Sequence, residues 1–545
     1  MVILNLYYSL YSKQIYSSPD HFPVNYIENL SLPIFGNSDN KGYFYRHYQE
    51  KEISHIVSPE ELFKYKYEII NGQYIDDHKY FISCSEDSIF PISLETQKNV
   101  LTLEDSEKKI DVLKNLPVNR FHYFKVYKNS TYKISSEGNF VIGDPINLKQ
   151  KIKHKKKLVL CLFVDGLVDP NIIDHLSYEK IMPFTSNFFK KGVTFKNHFS
   201  NAEWTLPSVP SFFTGRRQQG HGFFHPKENH VLGKNDPILS ELFKENNYLT
   251  FQASGNWRMS PAYGYIKGFE RTIYKKEMDA KEIIFSFLEH MRTFKDRDNF
   301  AWLSFSEVHH LLKVIPDISS QLENSVSAHR VTPWYDHDNK TKSVFSSKDN
   351  ALSEIYENEI KRLDYYLKII YDFIENNFKS NEVLVTLVSD HGQAFLTNDQ
   401  HPLSIQRTKV PWMIRGEGIP QKDSSELTEN IDVFEALVKC CSLKTDDFFL
   451  DSHLPVSLGG DKEKEFVLSQ SIYPGQTYKA VIRDKFYEYR FESEVLVQPN
   501  GAIQGKVDLK ETFIINEKER SVLSYEIEKY KAILIVKIDE WNNNL

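Results

Sequence analysis

The chain has 545 residues, of which 41% are hydrophobic and 26% are charged, and its formal net charge is −7. These values exclude wholesale disorder, a collagen-like repeat and a small disulfide-rich fold, and they favour a globular protein of roughly two to four domains. The acidic balance predicts no general binding of nucleic acid. Four cysteines without zinc-ligand spacing are interpreted as reduced, structural thiols.

Residues 1–148 differ in composition from the rest of the chain. They are rich in Tyr, Phe, Ser and Asn and carry short alternating runs, such as Phe121–Tyr127, separated by turn residues. This pattern predicts a β-rich accessory domain, and its aromatic content suggests a carbohydrate-related substrate or partner. Residues 149–157, with six lysines and no acid, are interpreted as a solvated linker rather than an anion-binding patch.

Apolar strands alternate with helical patterns from Leu158 onward. Four runs are typical of buried strands, at 158–164, 248–253, 301–305 and 383–388. A helix is predicted around residues 360–374, where apolar residues recur every three or four positions. The alternation predicts a layered α/β domain over residues 158–462. Later strand-like stretches predict a small antiparallel subdomain over residues 463–545.

The sequence shows no membrane-spanning or secretory segment. Its longest uninterrupted apolar run, Leu158–Val164, is far too short to cross a bilayer. Residues 1–14 contain neither a basic segment nor a small-residue cleavage site. The expectation is a cytoplasmic protein without a transmembrane segment, with secretion by another route as the open alternative.

Acidic and imidazole side chains follow three of the predicted strands. Asp165 follows the first, Asp390 and His391 follow the last, and Glu307 and His309 follow the strand at 301–305. Ligands bind beyond the carboxyl ends of strands in open parallel sheets. One such Asp or His alone is typical of a turn, a helix cap or an ordinary hydrogen bond. Three strand ends together predict a divalent metal site, for Zn²⁺ or Mn²⁺, or with more carboxylate or water Mg²⁺ or Ca²⁺.

The segment 203–216 carries a candidate nucleophile. Pro207 suits the start of a helix, which places Thr205 just ahead of a helix N-terminus, where backbone N–H groups and the dipole favour an anion. An alkoxide whose pKa is lowered by a metal would suit this position. A purely capping role for Thr205 is an equal interpretation of this residue alone.

The segment Thr205–Arg216 resembles the nucleophile motif of the sulfatase branch of the alkaline phosphatase superfamily. That motif runs Cys/Ser-x-Pro-Ser-Arg and continues, at the same spacing, to Thr-Gly-Arg. Asp390-His391-Gly392 resembles the metal-binding Asp-His/Asn-Gly of the family. The resemblance covers about residues 155–490 and includes Pro183–Phe195, Gly268–Glu270, Glu307–His309, Val410–Ile419, Asn430–Phe434 and Asp451–Pro455. It implies an alkaline-phosphatase-like layered α/β domain with a mostly parallel central sheet.

The departures from the family pattern bear on the chemistry. Thr205 stands where sulfatases have Cys or Ser, so it cannot become the formylglycine that sulfatases use. Val209 stands where they have Arg, and Asn256-Trp257-Arg258 stands where they have Lys-Trp-His. Threonine nucleophiles are typical of relatives that cleave or transfer phosphoesters, such as phosphoethanolamine and phosphoglycerol transferases and nucleotide pyrophosphatase/phosphodiesterases. The resemblance therefore implies a metal-dependent phosphoester hydrolase or phosphotransferase.

The resemblance also implies roles for individual residues. Thr205 attacks phosphorus and forms a phosphothreonine intermediate. One divalent ion is held by Asp165, Thr205, Asp390 and His391. Arg258, His309 and His401 bind the substrate or protonate the leaving group. A second metal site is the less favoured alternative for Glu307, His309, His310 and His401, and His221 is expected to be structural.

Two other functions remain open at this point. One is a sulfuric ester hydrolase that uses an unmodified Thr, and the other is a non-catalytic glycan-binding scaffold built on a sulfatase fold. The expected substrate is a small-molecule, glycan or lipid-linked ester. The sequence does not distinguish hydrolysis from transfer, nor does it define the natural substrate or the oligomeric state.

Overall fold

The structure is a computed structural model of the chain. It describes residues 22, 40–48, 65–96, 99–149, 154–173, 175–226, 228, 230–233, 237–309, 347–444, 450–504, 509–516 and 524–545. These residues divide into two compact units. Unit 1 comprises the described parts of residues 1–157, 240–278 and 285–303, and unit 2 comprises those of residues 158–239, 279–284 and 304–545.

The strands of the described residues are numbered in chain order. The first twelve are β1 (Lys41–His47), β2 (Tyr67–Ile75), β3 (Lys79–Ser83), β4 (Ser88–Leu94), β5 (Val100–Asp105), β6 (Ile110–Lys114), β7 (His122–Val126), β8 (Thr131–Ser136), β9 (Phe140–Gly143), β10 (Ile146–Asn147), β11 (Leu158–Val164) and β12 (Val193–Phe199). The others are β13 (Leu249–Ser254), β14 (Arg271–Tyr274), β15 (Asn299–Phe305), β16 (Val383–Val388), β17 (Trp412–Gly416), β18 (Lys422–Glu429), β19 (Phe466–Ser471), β20 (Thr477–Asp484), β21 (Tyr487–Leu496) and β22 (Leu509–Asn516).

The α-helices are numbered in the same way. They are α1 (Tyr178–Ile181), α2 (Pro183–Phe189), α3 (Thr205–Thr214), α4 (Gln218–His221), α5 (Leu239–Glu245), α6 (Ala280–Thr293), α7 (Asn350–Asn377), α8 (Ile405–Thr408), α9 (Asp432–Cys440) and α10 (Ser524–Asn544). Short 3-10 helices occupy Pro170–Ile172, Trp257–Met259, Pro261–Tyr263, Ser380–Glu382, Ala394–Leu396 and Val456–Leu458. No helix of the described residues is both long and apolar enough to cross a membrane.

Unit 1 is built mainly from strands. One of its sheets has the strand order β10–β4–β9–β2–β14–β13–β15, with β1 beside β2 and β7 beside β4. A second sheet, β3–β8–β5–β6, is antiparallel throughout. The inner faces of these strands carry apolar side chains such as Phe90, Leu101, Ile134 and Phe140, which form one buried cluster. The aromatic, alternating pattern of the N-terminal sequence therefore does form strands.

Unit 2 contains the sheet order β11–β16–β17–β12–β18. All seven residues of β11 and all six of β16 are buried, as the unbroken apolar sequence of β11 and the largely apolar sequence of β16 predict. The two strands are parallel, with Leu158 facing Val383. Because parallel strands in register end at the same edge, the residues that follow Val164 and Val388 emerge side by side.

The C-terminal part of unit 2 is a small antiparallel sheet, β19–β20–β21–β22, packed with α10. The sequence predicts its strands but not the helix. Tyr530, Leu534, Ile538 and Trp541 recur at spacings of three and four and join the buried cluster of the sheet. Trp541 also donates a hydrogen bond of 2.8 Å from Nε1 to the carbonyl of Gly501.

The fold class predicted from the sequence is confirmed: a layered α/β domain with a mostly parallel central sheet, a β-rich N-terminal region and a small antiparallel C-terminal sheet. All four cysteines are free thiols. The boundaries predicted at residues 148, 157 and 462 stay predictions, and residues 150–153 of the predicted linker lie outside the described residues.

Candidate active site

The turn after β11 brings the first carboxylate to the end of the sheet. Asp165 follows Val164 directly, and Gly166 then adopts a φ of +77°, a conformation that favours glycine. Its amide donates a hydrogen bond of 3.1 Å to Oδ1 of Asp390, which ties the two strand ends together. A Cβ at this position would lie 2.4 Å from Nε2 of Gln393, so the turn requires glycine for space as well.

Four side chains predicted to bind metal lie together at this edge. Nε2 of His391 is 3.1 Å from Oγ1 of Thr205, 3.4 Å from Oδ1 of Asp165 and 3.5 Å from Oδ2 of Asp390. Oγ1 of Thr205 also donates to Oδ1 of Asp165 over 3.4 Å. All four residues are buried. We call Asp165, Thr205, Asp390 and His391 the strand-end cluster.

Thr205 is positioned by the start of α3 rather than by a loop ahead of it. The helix begins at Thr205 itself, two residues earlier than Pro207 suggests, and Trp204 is the capping residue without a side-chain cap bond. The hydroxyl of Thr205 bonds to His391 and Asp165. The side chain of Thr205 therefore does more than cap the helix.

The imidazole of His391 is oriented by its own backbone neighbour. Nδ1 lies 2.7 Å from the carbonyl oxygen of Gly392 and therefore carries the proton of that hydrogen bond. In the neutral ring this leaves the lone pair of Nε2 facing the strand-end cluster. Burial alone lowers the pKa of His391, but the charges of Asp390 and Asp165 outweigh it and raise the pKa to about 9.

The two carboxylate oxygens of Asp390 differ in their hydrogen bonding. Oδ1 accepts hydrogen bonds from the amides of Gly166 and His391, at 3.1 and 2.9 Å. Oδ2 is buried and accepts no hydrogen bond from any described residue. Burial first, and then the charge of Asp165, raises the pKa of Asp390. A buried acceptor with no donor is costly unless a cation or another donor meets it.

These residues fit a divalent cation. Ligand atoms bound tetrahedrally at about 2.1 Å from one ion lie about 3.4 Å from one another. The distances from His391 to Thr205, Asp165 and Asp390, and from Thr205 to Asp165, are 3.1 to 3.5 Å. Two carboxylates, a neutral imidazole nitrogen and a hydroxyl are ligands of the type such ions take. Nε2 of His309 lies 3.9 Å from Oδ1 of Asp165, so Asp165, His309 and His391 also form a candidate ligand group.

The alternative second metal set is not brought together by the described residues. One oxygen of Glu307, Oε1, accepts a short hydrogen bond from the amide of Ala280 at the start of α6. His309 lies beside the strand-end cluster, with its ring centre 5.4 Å from that of His391. His310 lies outside the described residues.

His401 is held by the C-terminal sheet. Asp399 accepts from the amide of His401 at 3.0 Å and receives a two-pronged contact from Arg490 of β21, at 2.7 and 3.1 Å. Arg483 of β20 donates to the carbonyl of Leu403 at 2.8 Å. Burial, assisted by the charge of Arg490, lowers the pKa of His401 to about 4. This imidazole is therefore neutral near pH 7, which disfavours a role as a proton donor.

The remaining predicted residues have separate environments. Arg258 lies in unit 1, where its guanidinium stacks 4.0 Å from the ring centre of Trp257, and its substrate-binding role stays a prediction. His221 is half-buried, and its Nδ1 accepts from the amide of Phe223 at 3.1 Å. Burial lowers the pKa of His221 to about 3. A neutral, internally bonded ring is consistent with the structural role expected for it.

The sequence interpretation missed the residues that hold the turn after β11. The hydroxyl of Tyr356 accepts from the amide of Val168 at 2.9 Å and donates to the carbonyl of Gly166 at 2.8 Å. Oγ of Ser389 accepts from the amide of Leu167 at 3.0 Å. Ser389 stood beside the recognised Asp-His-Gly motif, which could have drawn attention to it. Tyr356 lies on the buried face of a helix and carries no such signal.

The family model for sulfatases matches residues 157–442, more than half of the chain. The chain belongs to the sulfatase family. This membership supports the predicted hydrolase class and the divalent-metal site, and it leaves the kind of ester open. A comparison with curated protein sequences found no match.

Solved structures of the same superfamily share the fold. A phosphonate monoester hydrolase from Silicibacter pomeroyi has a TM-score of 0.52 and 12% identity, over 72% of this chain and 96% of its own. One from Agrobacterium radiobacter has a TM-score of 0.50 and 14% identity, over 71% and 96%. A 2-O GAG sulfatase has a TM-score of 0.50 and 14% identity, over 72% and 93%. At these identities the likeness concerns the fold alone.

Proposed function

We propose that this sulfatase-family protein cleaves or transfers a phosphoester group with Thr205 as the nucleophile. The observation that carries the proposal is the threonine hydroxyl, 3.1 Å from Nε2 of His391 and 3.4 Å from Oδ1 of Asp165. A threonine cannot be converted to formylglycine, so the attacking atom is the hydroxyl oxygen itself. Such an oxygen suits in-line displacement at phosphorus.

The strand-end cluster would hold the divalent ion, and the residues leave Zn²⁺, Mn²⁺, Mg²⁺ and Ca²⁺ open. When bound, such an ion lowers the pKa of a hydroxyl and offsets negative charge on the ester group. The chain itself fixes the ligands before the ion arrives. Gly166 and Gly392 hold Asp390 and His391 through backbone hydrogen bonds, so little rearrangement is needed on binding.

The reaction follows from the groups around Thr205. Oγ1 of Thr205 forms a bond to phosphorus while the bond from phosphorus to the leaving oxygen breaks, and the hydroxyl proton is lost to solvent water. His309, half-buried beside Asp165, gives a proton to the leaving oxygen. Water or an acceptor hydroxyl then attacks the phosphothreonine and restores the free Thr205. Arg258 and His401 stay candidates for contacts to the substrate.

The proposal is tested with two chromogenic esters measured side by side. The full chain is assayed with bis-p-nitrophenyl phosphate and with p-nitrophenyl sulfate, each with added Mn²⁺ or Zn²⁺ and each with chelator. The expected result is chelator-sensitive cleavage of the phosphodiester alone. Cleavage of the sulfate ester alone would overturn the proposal in favour of a sulfatase with an unmodified Thr. Cleavage of neither, together with no bound metal, would favour the non-catalytic scaffold.

A further inference from the structure

Arg407 is a fully buried guanidinium without a partner among the described residues. It lies in α8 and is 1% exposed. None of its Nε, Nη1 and Nη2 atoms donates a hydrogen bond to a described residue. Burial lowers the pKa of Arg407 to about 10, so the side chain is still charged near pH 7. A buried cation left in this state costs several kcal/mol by general experience.

The other buried arginines of the described residues do not share this condition. Each has at least one carboxylate oxygen within ion-pair distance; the pairs are Arg46–Glu95, Arg217–Glu429, Arg271–Glu68, Arg362–Glu359, Arg415–Glu375, Arg483–Glu488 and Arg490–Asp399. The fold thus pairs its buried guanidinium groups as a rule. At position 407, by contrast, no carboxylate of the described residues lies within ion-pair distance of the guanidinium, which leaves its donors open to an acceptor from outside the chain.

Two carboxylates, those of Glu203 and Asp399, lie within electrostatic reach of Arg407. Glu203 accepts from the hydroxyl of Ser471 at 2.7 Å through Oε1, and its buried Oε2 has no hydrogen-bond partner among the described residues. Asp399 receives both prongs of Arg490. Neither makes an ion pair or hydrogen bond with Arg407 among the described contacts. The five N–H groups of this guanidinium are therefore available to a ligand.

The backbone places Arg407 beside the strand-end cluster. Its carbonyl accepts from the amide of Gly392 at 2.7 Å, and the carbonyl of Thr408 accepts from the amide of Ser200 at 2.7 Å. The first bond leads to His391, and the second leads along the chain to Glu203 and Thr205. The charge of Glu203 is felt by both Arg407 and His391. The guanidinium thus flanks the candidate active site.

We propose that Arg407 is a substrate-binding residue that receives the charged oxygens of the tetrahedral phosphate group handled in the site. The inference rests on the proposed function and deepens it by naming the group that recognises the anion. A guanidinium offers parallel N–H donors that match two oxygens of a phosphate. Binding the anion also removes the cost of the buried, unmatched charge, so affinity for the ligand and stability of the protein are linked.

The test measures binding of inorganic phosphate to the full chain without any turnover. Chelator-treated and Mn²⁺-equilibrated protein are examined in parallel by calorimetric titration and by thermal unfolding. Arg407→Met keeps the aliphatic stem and removes the charge. Arg415→Met is the matched control, because it removes a buried guanidinium that is paired with Glu375 at 2.7 Å.

The two variants are expected to differ in how they change the melting temperature and in how they respond to phosphate. Without phosphate, Arg407→Met melts at or above the wild-type temperature, whereas Arg415→Met melts lower. With phosphate, the wild type and Arg415→Met gain stability, whereas Arg407→Met loses this gain and binds phosphate at least tenfold more weakly. Arg407→Lys, which keeps the charge but not the paired donors, falls between the wild type and Arg407→Met in affinity.

Several outcomes would overturn the inference. They are wild-type affinity for phosphate in Arg407→Met, a loss of stability in Arg407→Met equal to that of Arg415→Met, and the absence of any phosphate effect in the wild type. The proposed function fails separately. If phosphate binding depends on Arg407 but the phosphodiester is not cleaved, the proposed function fails and this inference stands. If the phosphodiester is cleaved but phosphate binding does not depend on Arg407, this inference fails and the proposed function stands.

Discussion

Leu158 and Val383 face each other in the parallel pair β11–β16, and this register sets the geometry of the candidate active site. Because the strands advance together, Asp165 and Asp390 leave the sheet at neighbouring points. The amide of Gly166 then bridges to Oδ1 of Asp390. A shift of one residue in this pairing would turn the strand-end side chains to the other face of the sheet and separate the donors.

The first prediction concerns the nucleophile. Thr205→Ala removes the proposed nucleophilic hydroxyl and is expected to lower kcat for phosphodiester cleavage by at least about 10³-fold, with little change in the melting temperature. Thr205→Ser keeps a hydroxyl and should retain partial activity. Thr214→Ala, at the other end of α3, serves as the control, because the hydroxyl of Thr214 donates to the carbonyl of Pro210 and accepts from the amide of Arg216, away from the strand-end cluster. Equal activity in Thr205→Ala and the wild type would refute the mechanism.

The second prediction concerns the metal. Asp390→Asn replaces an anionic ligand whose Oδ2 has no hydrogen-bond donor among the described residues, and we expect the affinity for Mn²⁺ or Zn²⁺ to fall at least about tenfold. Metal content after dialysis and calorimetric titration measure this change. Asp423→Asn is the control. The Asp423 side chain is 67% exposed, and its ion-pair partner among the described residues is Lys196. Unchanged metal content in Asp390→Asn would show that the ion, if any, binds elsewhere.

The third prediction concerns a buried ion pair in unit 2. Glu429 accepts from Arg217 at 2.6 Å and from Lys464 at 2.5 Å, and these charges hold its pKa below the usual range despite burial. Glu429→Gln leaves the buried guanidinium of Arg217 without its ion-pair carboxylate, while Lys464 keeps Asp432 at 2.7 Å, and the substitution should cost about 3 to 5 kcal/mol. Urea unfolding measures the loss.

The control for this prediction is an exposed pair of the same type. Glu463 and Lys485 lie 2.5 Å apart with side chains 41% and 54% exposed. Glu463→Gln should change stability by no more than about 1 kcal/mol. Equal effects of the two substitutions would contradict the assigned importance of burial.

The fourth prediction concerns pH. His198 is buried between Thr428 and Asn430, at 3.0 Å from each, and burial lowers its pKa to about 3. The unfolded chain takes up this proton near pH 6.5, so the contribution of His198 is complete above that pH and falls as the pH drops toward 3, by up to about 1.4 kcal/mol per pH unit. Other buried groups titrate nearby, so the measured quantity is a difference between two proteins.

That difference compares the wild type with His198→Gln. Both are unfolded in urea at several values from pH 7 to pH 5, and the free energy of unfolding of the variant should depend less steeply on acid than that of the wild type. The glutamine amide still offers a donor to Asn430 and an acceptor to Thr428. Parallel curves for the two proteins would mean that His198 does not titrate differently on unfolding.

The sequence was sufficient for elements whose side chains are buried on both faces. β11 and β16 have the bounds expected of them, because seven successive apolar residues in β11, and five in β16 interrupted only by Thr386, admit few other interpretations. Their ends then identified Asp165, Asp390 and His391 as neighbours. The family resemblance predicted Thr205 as a fourth member of the site. In the structure, Nε2 of His391 lies within 3.5 Å of an oxygen of each of the other three side chains.

Other features depend on contacts that no local pattern reports. Arg407 reads as an ordinary basic residue in a polar segment, and only tertiary burial distinguishes it from exposed arginines. His401 owes its position to Arg490, about 90 residues further along the chain. Tyr356 lies 190 positions after Gly166 in the sequence. It supports the turn there because its hydroxyl donates a hydrogen bond to the carbonyl of Gly166. Such pairings follow from topology rather than from spacing.

The contacts of β20 and β21 with the 399–403 loop suggest where substitutions that change substrate preference would occur during evolution. Arg483 and Arg490 share Glu488 and hold the loop through Leu403 and Asp399. A sheet whose described residues supply none of the proposed reacting groups is thereby joined to the segment that carries His401, a candidate substrate contact. Substitutions that retune substrate preference are consequently expected to accumulate in β21 as well as around Thr205, and exchanging the C-terminal sheet between relatives should alter selectivity without altering the chemistry.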